Sequence, residues 1–455
     1  MTRPYYILVV SLLILVSNIF GMEIPVYTAL VLLSCYIFLF GKDLLPFVPI
    51  LVSCYITAAT KNNPGRNGQS LFSMSNGGWY MLLLGAALVV CLSIRLATDK
   101  QLGGKNFFKA KRTLLPGLLL LSAAYLMGGI GAPAPGSKHL VFALLQIAAL
   151  VVPYFIIAGS IKWKECPYTY FSWTGLMIGF VLLVQIVWIY RTNGVILDRT
   201  IRKELIYTGW GIHNNIGGLL AMMIPFAFHL ATFHPRYGWV GASAATLFLL
   251  GVVMTCSRSA ILTACAFWLI CFIIMIIFTK NRKSNILALI VLLSAGALAI
   301  LLSRDFLLVL FKNMLEAGMD SNNRNFIYQA GWQQFVKYPV FGGSFFPIDY
   351  NLFDWSTVAS FSEFFPPRWH NTIIQILAST GIVGMAAYGY HRYQTIKLFW
   401  HEQTWEKTFI AASLLILLVT SLLDCHFFNI GPTMFYSAAL AFAEHCVYKK
   451  KKKIK

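Results

Sequence analysis

The sequence predicts an all-α, polytopic integral membrane protein with about 12–14 transmembrane helices and one large external loop bearing an amphipathic helix. Of its 455 residues, 58% are hydrophobic and only 11% are charged, too few to cover the surface of a soluble protein of this size. Apolar runs of about 17–25 residues recur along the chain, the length that crosses roughly 30 Å of hydrocarbon. These runs are continuously apolar rather than alternating, as expected of helices that satisfy their own backbone in lipid.

Fourteen apolar segments are predicted to span the membrane. They lie near residues 5–21, 24–40, 44–60, 78–96, 113–131, 139–161, 170–190, 214–233, 238–256, 259–279, 285–303, 371–391, 408–424 and 428–447. Placing both termini inside puts the basic tail KKKKKIK (449–455) in the cytoplasm, in agreement with the positive-inside rule. Because Pro and Gly interrupt several runs, the number of spans is less well determined than their existence.

The formal net charge of +20 comes from basic clusters that flank the apolar runs, at residues 100–112, 162–164, 280–283 and 449–455. No Gly-rich phosphate loop or RNA-binding signature accompanies them. We therefore interpret the clusters as topogenic charges that also attract anionic membrane lipids, and we expect no nucleic-acid partner.

The chain divides into four predicted regions. These are N-terminal transmembrane helices (1–190), central helices with Arg-containing external turns (191–303), a large external loop (304–370), and C-terminal helices with a basic cytoplasmic tail (371–455). The loop is too long to be a passive connector. Helical spacing and interfacial aromatic residues predict an amphipathic helix on the outer surface from about Arg324 to Lys337, capped by Asn322/Asn323.

Two arginines are candidate anion-binding residues on the outer side. Arg258 lies in MTCSRSAIL, at a turn between two apolar runs, where its permanent charge is either functional or an anchor at the headgroups. Arg324 begins the predicted surface helix, whose free N–H groups and positive dipole end favour an anion. An ordinary solvated arginine is the alternative interpretation for Arg324.

His370 heads an apolar stretch, RWHNTIIQILASTG, that is otherwise suited to lipid. Histidine is the side chain that can accept a proton near neutral pH. A lone histidine at this position could equally form a structural hydrogen bond. The predicted topology, however, places His370, Arg258 and Arg324 all at the outer face, and two fixed cations beside a potential base suit a reaction on a phosphorylated lipid.

Two stretches in the middle of the chain have a recognisable pattern. TGWGIHNNIGGLLAMMIPF (208–226) is an Asn- and Gly-rich entry to a span that contains Asn215. CSRSAIL contains an R-x₃-L spacing from Arg258 to Leu262.

Two later stretches complete the pattern. RNFIYQAGWQQFVKYPVFGGS begins with Arg324 and ends in a Pro-x-x-Gly-x segment, and HNTIIQILASTG has an H-x₁₀-G spacing from His370 to Gly381. With the single large external loop, the order of these stretches resembles the O-antigen ligase and polymerase family, of the Wzy/WaaL kind, over roughly residues 205–400. The N-terminal spans are similar to the family only in general character.

This resemblance implies a metal-independent, inverting membrane glycosyltransferase of the GT-C type that needs no cofactor. It would transfer a glycan from a polyprenyl diphosphate, such as undecaprenyl diphosphate, to an acceptor hydroxyl of a glycan or lipid, for cell-surface polysaccharide biosynthesis. The site would face outward from the bacterial cytoplasmic membrane.

The resemblance also implies roles for particular residues. His370 would activate the acceptor hydroxyl, and Arg258 and Arg324 would hold the donor diphosphate. Arg202, with Arg199 and Lys203, could add diphosphate contacts, although these three match no family motif. Possible lining residues are Asn215, His213 and Gly381; His213 and also His426 have simpler interpretations as structural hydrogen-bonding groups. Gly381 and Gly384 would let the helix that follows His370 pack closely against a neighbour.

Two other classes of function remain open at this stage. A transporter or flippase of lipid-linked oligosaccharide would have paired repeats and ionisable residues at mid-membrane, whereas the predicted span interiors are nearly uncharged. A non-catalytic scaffold would leave Arg258, Arg324 and His370 far apart. The residues do not separate ligase from polymerase, which share donor chemistry and differ in the acceptor.

Overall fold

The computed structural model describes residues 4–57, 78–98, 112–133, 136–161, 168–193, 205–208, 211–279, 281–302, 324–346, 369–401 and 404–453. Its helices are α1 (Pro4–Phe20), α2 (Glu23–Phe40), α3 (Phe47–Ser53), α4 (Gly78–Thr98), α5 (Leu115–Met127), α6 (Gly136–Ser160), α7 (Tyr168–Thr192), α8 (His213–Phe233), α9 (Gly238–Met254), α10 (Arg258–Phe278), α11 (Arg282–Leu302), α12 (Arg324–Lys337), α13 (Thr372–His401), α14 (Trp405–Leu423) and α15 (Ile430–Lys453). Two 3₁₀ turns, Cys54–Ile56 and His426–Phe428, follow α3 and α14. Strands β1 (Tyr207–Thr208) and β2 (Gly211–Ile212) form a short antiparallel hairpin before α8.

The helical membrane fold predicted from the sequence is confirmed. Each of the fourteen predicted spans overlaps one of these helices. Seven helices among the described residues are long and apolar enough to cross a membrane: α2, α6, α7, α8, α10, α13 and α14. Five shorter apolar segments, in α1, α3 with its 3₁₀ turn, α4, α5 and α9, accompany them. The total of 12–14 spans stays a prediction.

The chain forms two compact units, and these do not follow the four predicted regions. The first unit comprises residues 1–110, 156–314 and 405–416. The second comprises residues 111–155, 315–404 and 417–455. Each unit therefore combines segments that are distant in the sequence. The division of the chain into four regions stays a prediction.

The first unit is built around α8, which is buried along nearly all its length. It packs against α7, α9 and α10, and small residues permit the close approach. A Cβ on Gly217 of α8 would lie only 2.6 Å from the Thr255 hydroxyl. A Cβ on Gly175 of α7 would lie 3.0 Å from the Phe226 side chain. Small residues at helix contacts are a typical means of packing helices in membranes.

The second unit contains α5 lying antiparallel along α13. A Cβ on Gly117 would lie 2.9 Å from the Cα of His391, and one on Gly128 would lie 2.7 Å from the Ser379 carbonyl oxygen. Helix α15 also packs here through Glu444, whose carboxylate accepts a hydrogen bond from the Leu114 N–H at the start of α5. The carboxylate therefore satisfies one of the free N–H groups of that helix N-terminus.

Helix α13 differs from the predicted span at 371–391, because it continues to His401 and is kinked at Gly381. Gly381 has φ +64°, and its neighbours Ile382 and Val383 donate N–H groups to the carbonyls of Pro339 and Val340. The segment after the kink is about 20 residues, or roughly 30 Å, long, which by itself matches the hydrocarbon thickness. The segment before the kink lies along α12 instead.

Helix α12 has the bounds predicted from the sequence, Arg324 to Lys337. The proposed caps Asn322 and Asn323 lie outside the described residues. One face, containing Ile327 and Ala330, packs against Trp369 and Ala378. The opposite face leaves Phe326, Trp332 and Val336 exposed. The position of this helix on the outer membrane surface stays a prediction.

Candidate active site

His370 is held in a specific orientation just before α13. Its backbone has φ +48°, a left-handed conformation that is uncommon for residues other than glycine. The Nδ1 atom lies 3.1 Å from Oδ1 of Asp424, and 29% of the side chain is exposed. With Nδ1 engaged by the carboxylate, Nε2 is the ring nitrogen positioned to exchange a proton with a bound molecule.

Asp424 follows the last residue of α14, and its side chain is only 6% exposed. The same Oδ1 atom accepts the N–H of Cys425 at 3.0 Å. Burial alone raises the pKa of the Asp424 carboxyl. The His370 imidazole outweighs this by charge and hydrogen bonding, and His426 and Arg324 add to it, so the pKa lies well below its usual range. Asp424 is therefore a fixed carboxylate partner for the imidazole.

Arg324 lies beside this pair. Its Nη1 atom donates to the carbonyl oxygen of Leu423, the residue before Asp424, at 2.9 Å. The Asn371 side chain donates to the preceding carbonyl, that of Leu422, at 2.8 Å. Both contacts satisfy terminal carbonyls of α14, the negative end of its dipole. Because a guanidinium has five N–H groups, one such bond leaves others for an anion.

Tyr328 adds a second contact from α12 and lies one turn after Arg324. Its hydroxyl donates to the His370 carbonyl oxygen over a long 3.4 Å. Burial raises the pKa of the Tyr328 phenol, so it stays protonated and available as a donor. Helix α12 thus contacts both sides of the pair, the His370 carbonyl through Tyr328 and the carbonyl before Asp424 through Arg324.

Arg258 belongs to the first unit, where it begins α10 and is exposed. The turn before it is tight, because Cys256 has φ +54° and Ser257 is extended and buried. Gly217 of the Asn- and Gly-rich stretch lies against this turn, since a Cβ there would be 3.1 Å from the Ser257 Cβ. The first two motif stretches therefore pack together. The convergence of Arg258 with the other candidates stays a prediction.

The remaining predicted residues differ in their placement. His213 and Asn215 form the first turn of α8 after the hairpin, Asn215 being 8% exposed. Arg202, with Arg199 and Lys203, lies outside the described residues. Gly381 lies at the kink, where it contacts the backbone of Val340 and shapes the path of α13.

The structure thus brings His370 and Arg324 together and adds Asp424 and Tyr328, which reasoning from the sequence did not assign. The sequence offered a signal for Asp424, because a carboxylate directly after an apolar run in LLDCHFFN is costly unless it is paired. His426 is buried in the 3₁₀ turn that follows Asp424.

Residues 243–389 match the model of a family described as O-antigen ligase, Wzy_C. This part of the chain is therefore similar to the O-antigen ligase family. The match confirms the family resemblance inferred from the motifs, and the matched residues include Arg258, Arg324 and His370. Asp424 lies beyond the matched residues. No curated protein matches the chain.

The similarity to O-antigen ligases supports glycan transfer in a membrane as the broad function. The described site offers an imidazole ordered by a carboxylate, with a guanidinium on the neighbouring carbonyl. Groups of this kind can accept a proton and bind an anion, respectively.

Proposed function

We propose that this protein transfers a glycan from a polyprenyl diphosphate carrier to an acceptor hydroxyl at the outer face of a bacterial cytoplasmic membrane. The observation that carries the proposal is the contact between His370 Nδ1 and Asp424 Oδ1, beside Arg324. A carboxylate on one ring nitrogen fixes the tautomer and leaves the other nitrogen unprotonated and ready to act as a base.

In the proposed reaction, Nε2 of His370 accepts the proton of the acceptor hydroxyl as its oxygen attacks the anomeric carbon of the donor sugar. The carbon–oxygen bond to the diphosphate breaks at the same time, and the diphosphate leaves with the electron pair. Attack from the face opposite the leaving group inverts the anomeric centre. Asp424 stabilises the imidazolium that forms, and general-base catalysis of this kind contributes about 10²–10⁴-fold.

Arg324 is assigned to the donor diphosphate. One guanidinium can donate two parallel hydrogen bonds to phosphate oxygens, and its charge offsets the negative charge that develops as the diphosphate leaves. Its position at the N-terminus of α12 adds the positive end of that helix dipole. Arg258 is proposed as the second diphosphate ligand, which makes arginines the charge-stabilising groups and the reaction independent of a metal ion.

The decisive experiment uses the full-length protein in proteoliposomes with a polyprenyl diphosphate oligosaccharide and a panel of glycan and lipid acceptors. We expect release of polyprenyl diphosphate together with a glycosylated acceptor. His370→Gln should abolish both, whereas Lys397→Met, an exposed change on α13, should leave both unchanged. The acceptor that is consumed distinguishes a ligase from a polymerase.

The same preparation separates this function from transport. A flippase would move the labelled donor to the opposite leaflet without cleaving its glycosidic bond. Donor movement without cleavage, or unchanged transfer by the His370→Gln protein, would overturn the proposal.

A further inference from the structure

Arg392 is a further arginine, located in the second half of α13. It follows the kink at Gly381 by eleven residues, or roughly 16 Å of helix. If the segment after the kink crosses the hydrocarbon, this guanidinium lies near its middle. The predicted span at 371–391 ends just before Arg392, whereas α13 continues past it to His401. An arginine at such a depth is costly and is retained where it has partners.

Three aromatic rings surround the Arg392 guanidinium. Its Cζ atom lies 4.6 Å from the ring centroid of Tyr388, 4.8 Å from that of Phe427 and 5.2 Å from that of Tyr436. Nη1 donates to the Tyr436 hydroxyl at 3.1 Å, and this hydroxyl also meets Nε2 of His391 at 2.8 Å. Cation–π attraction strengthens when the pair is shielded from water, so the rings replace part of the stabilisation that water would otherwise give the guanidinium.

The Phe427 ring connects Arg392 to the candidate active site. Phe427 lies three residues after Asp424, within the tight turn that presents the carboxylate to His370. The N–H of His426 donates to the Asp424 carbonyl at 2.7 Å, and the N–H of Phe427 donates to the Ser421 hydroxyl at 3.0 Å. Because these two hydrogen bonds restrict the backbone of the turn, a displacement of Phe427 also moves Asp424.

The Tyr436 ring connects Arg392 to the helix that follows the turn. Tyr436 lies on α15, which begins two residues after the 3₁₀ turn, and its ring also lies 5.3 Å from that of Phe427. The guanidinium therefore contacts the turn directly through Phe427 and its exit helix through Tyr436. Among the described residues no ion pair of Arg392 is found, so its contacts to this turn are aromatic and hydrogen-bonding rather than ionic.

We propose that Arg392 is a positioning residue: it clamps Phe427 and Tyr436, and through them holds Asp424 against His370. The inference rests on the proposed function, since it assigns a purpose to the orientation of the base. Arginine suits this role better than lysine, because its planar guanidinium stacks on several rings at once. Arg392 itself does not reach the reacting atoms.

The test compares Arg392→Lys, Phe427→Leu and the control Lys397→Met in the transfer assay. Weakening the Asp424 contact removes the hydrogen bond that fixes the tautomer and the direction of the His370 imidazole. We expect kcat to fall on the order of tenfold, as for other orienting residues, with KM for the donor unchanged.

A second measurement is independent of activity. Excess diethyl pyrocarbonate can modify both ring nitrogens of an imidazole, and peptide mass spectrometry separates singly from doubly modified His370. The doubly modified fraction should rise in Arg392→Lys and Phe427→Leu, because Nδ1 is released from Asp424. If the parent transfers no glycan but this rise occurs, the proposed function fails and the positioning role stands. If folded Arg392→Lys and Phe427→Leu proteins both keep the parental doubly modified fraction, the positioning role is overturned.

Discussion

His370 and Asp424, 54 residues apart in the chain, meet through Nδ1 and Oδ1 at 3.1 Å. The contact joins the end of the large predicted external loop to the turn after α14. This hydrogen bond fixes the orientation of the His370 imidazole. The left-handed backbone of His370 is consistent with this, because such strain is retained where the surroundings over-determine it.

Asp424→Asn should impair the base without displacing it. An amide keeps the shape of the carboxylate but neither carries a charge nor favours the tautomer with its proton on Nδ1. We expect kcat to fall about 10²-fold or more. Steady-state kinetics of the purified protein measure this. Parental kcat in a correctly folded Asp424→Asn protein would contradict the assignment.

Asp424 should also make stability depend on pH. Its folded pKa lies below the value of 3.8 for a free side chain, so the folded state binds fewer protons in the acidic range. This contribution is fully present above about pH 4 and is lost as the pH falls from there toward the folded pKa. Thermal unfolding in detergent should show a gap between the parent and Asp424→Asn near neutral pH that narrows below pH 4. A gap that widens on acidification would contradict this sign.

Arg324 should stabilise the transition state by the geometry of its N–H groups as well as by its positive charge. Arg324→Lys keeps the positive charge but loses the paired N–H geometry that matches phosphate oxygens. We expect kcat/KM for the polyprenyl diphosphate donor to fall about 10-fold or more, and further in Arg324→Ala. Kinetics at varied donor and fixed acceptor concentration separate this effect from a loss of acceptor binding. A change confined to the KM for the acceptor would be inconsistent with the role.

The features that could be predicted from the sequence are those that depend on local residue type and spacing. Continuous apolar runs gave helices, and the spacing of residues 324–337 gave α12 with the observed bounds. His370 and Arg324 could be singled out because a base and a cation are recognisable individually. Asp424 could not be linked to His370, since no local pattern reports a contact between residues 54 positions apart. Likewise, hydropathy averages across Gly381 and does not report the kink in the helix that contains Arg392.

Gly381→Ala should destabilise the protein, whereas Gly389→Ala on the same helix should not. Gly381 has φ +64° and ψ −156°, a backbone region essentially confined to glycine, where another residue costs on the order of 1–3 kcal/mol. A Cβ there would also meet the Val340 backbone. A Cβ on Gly389 meets nothing within 4 Å and gains helix propensity of about 1 kcal/mol. Thermal unfolding in detergent should shift in opposite directions for the two. Equal shifts would show that the kink does not constrain the backbone.

The orientation of the site can be tested at two exposed residues. Lys337, the last residue of α12, is expected outside, and Trp400, at the far end of α13, is expected inside, because the span after Gly381 separates them. In intact cells a membrane-impermeant maleimide should therefore label Lys337→Cys but not Trp400→Cys. Both should be labelled after permeabilisation, and the unsubstituted chain provides the background from its nine cysteines. Labelling of Trp400→Cys alone in intact cells would invert the topology and place His370 on the cytoplasmic side, where the outward-facing reaction proposed for this site could not take place.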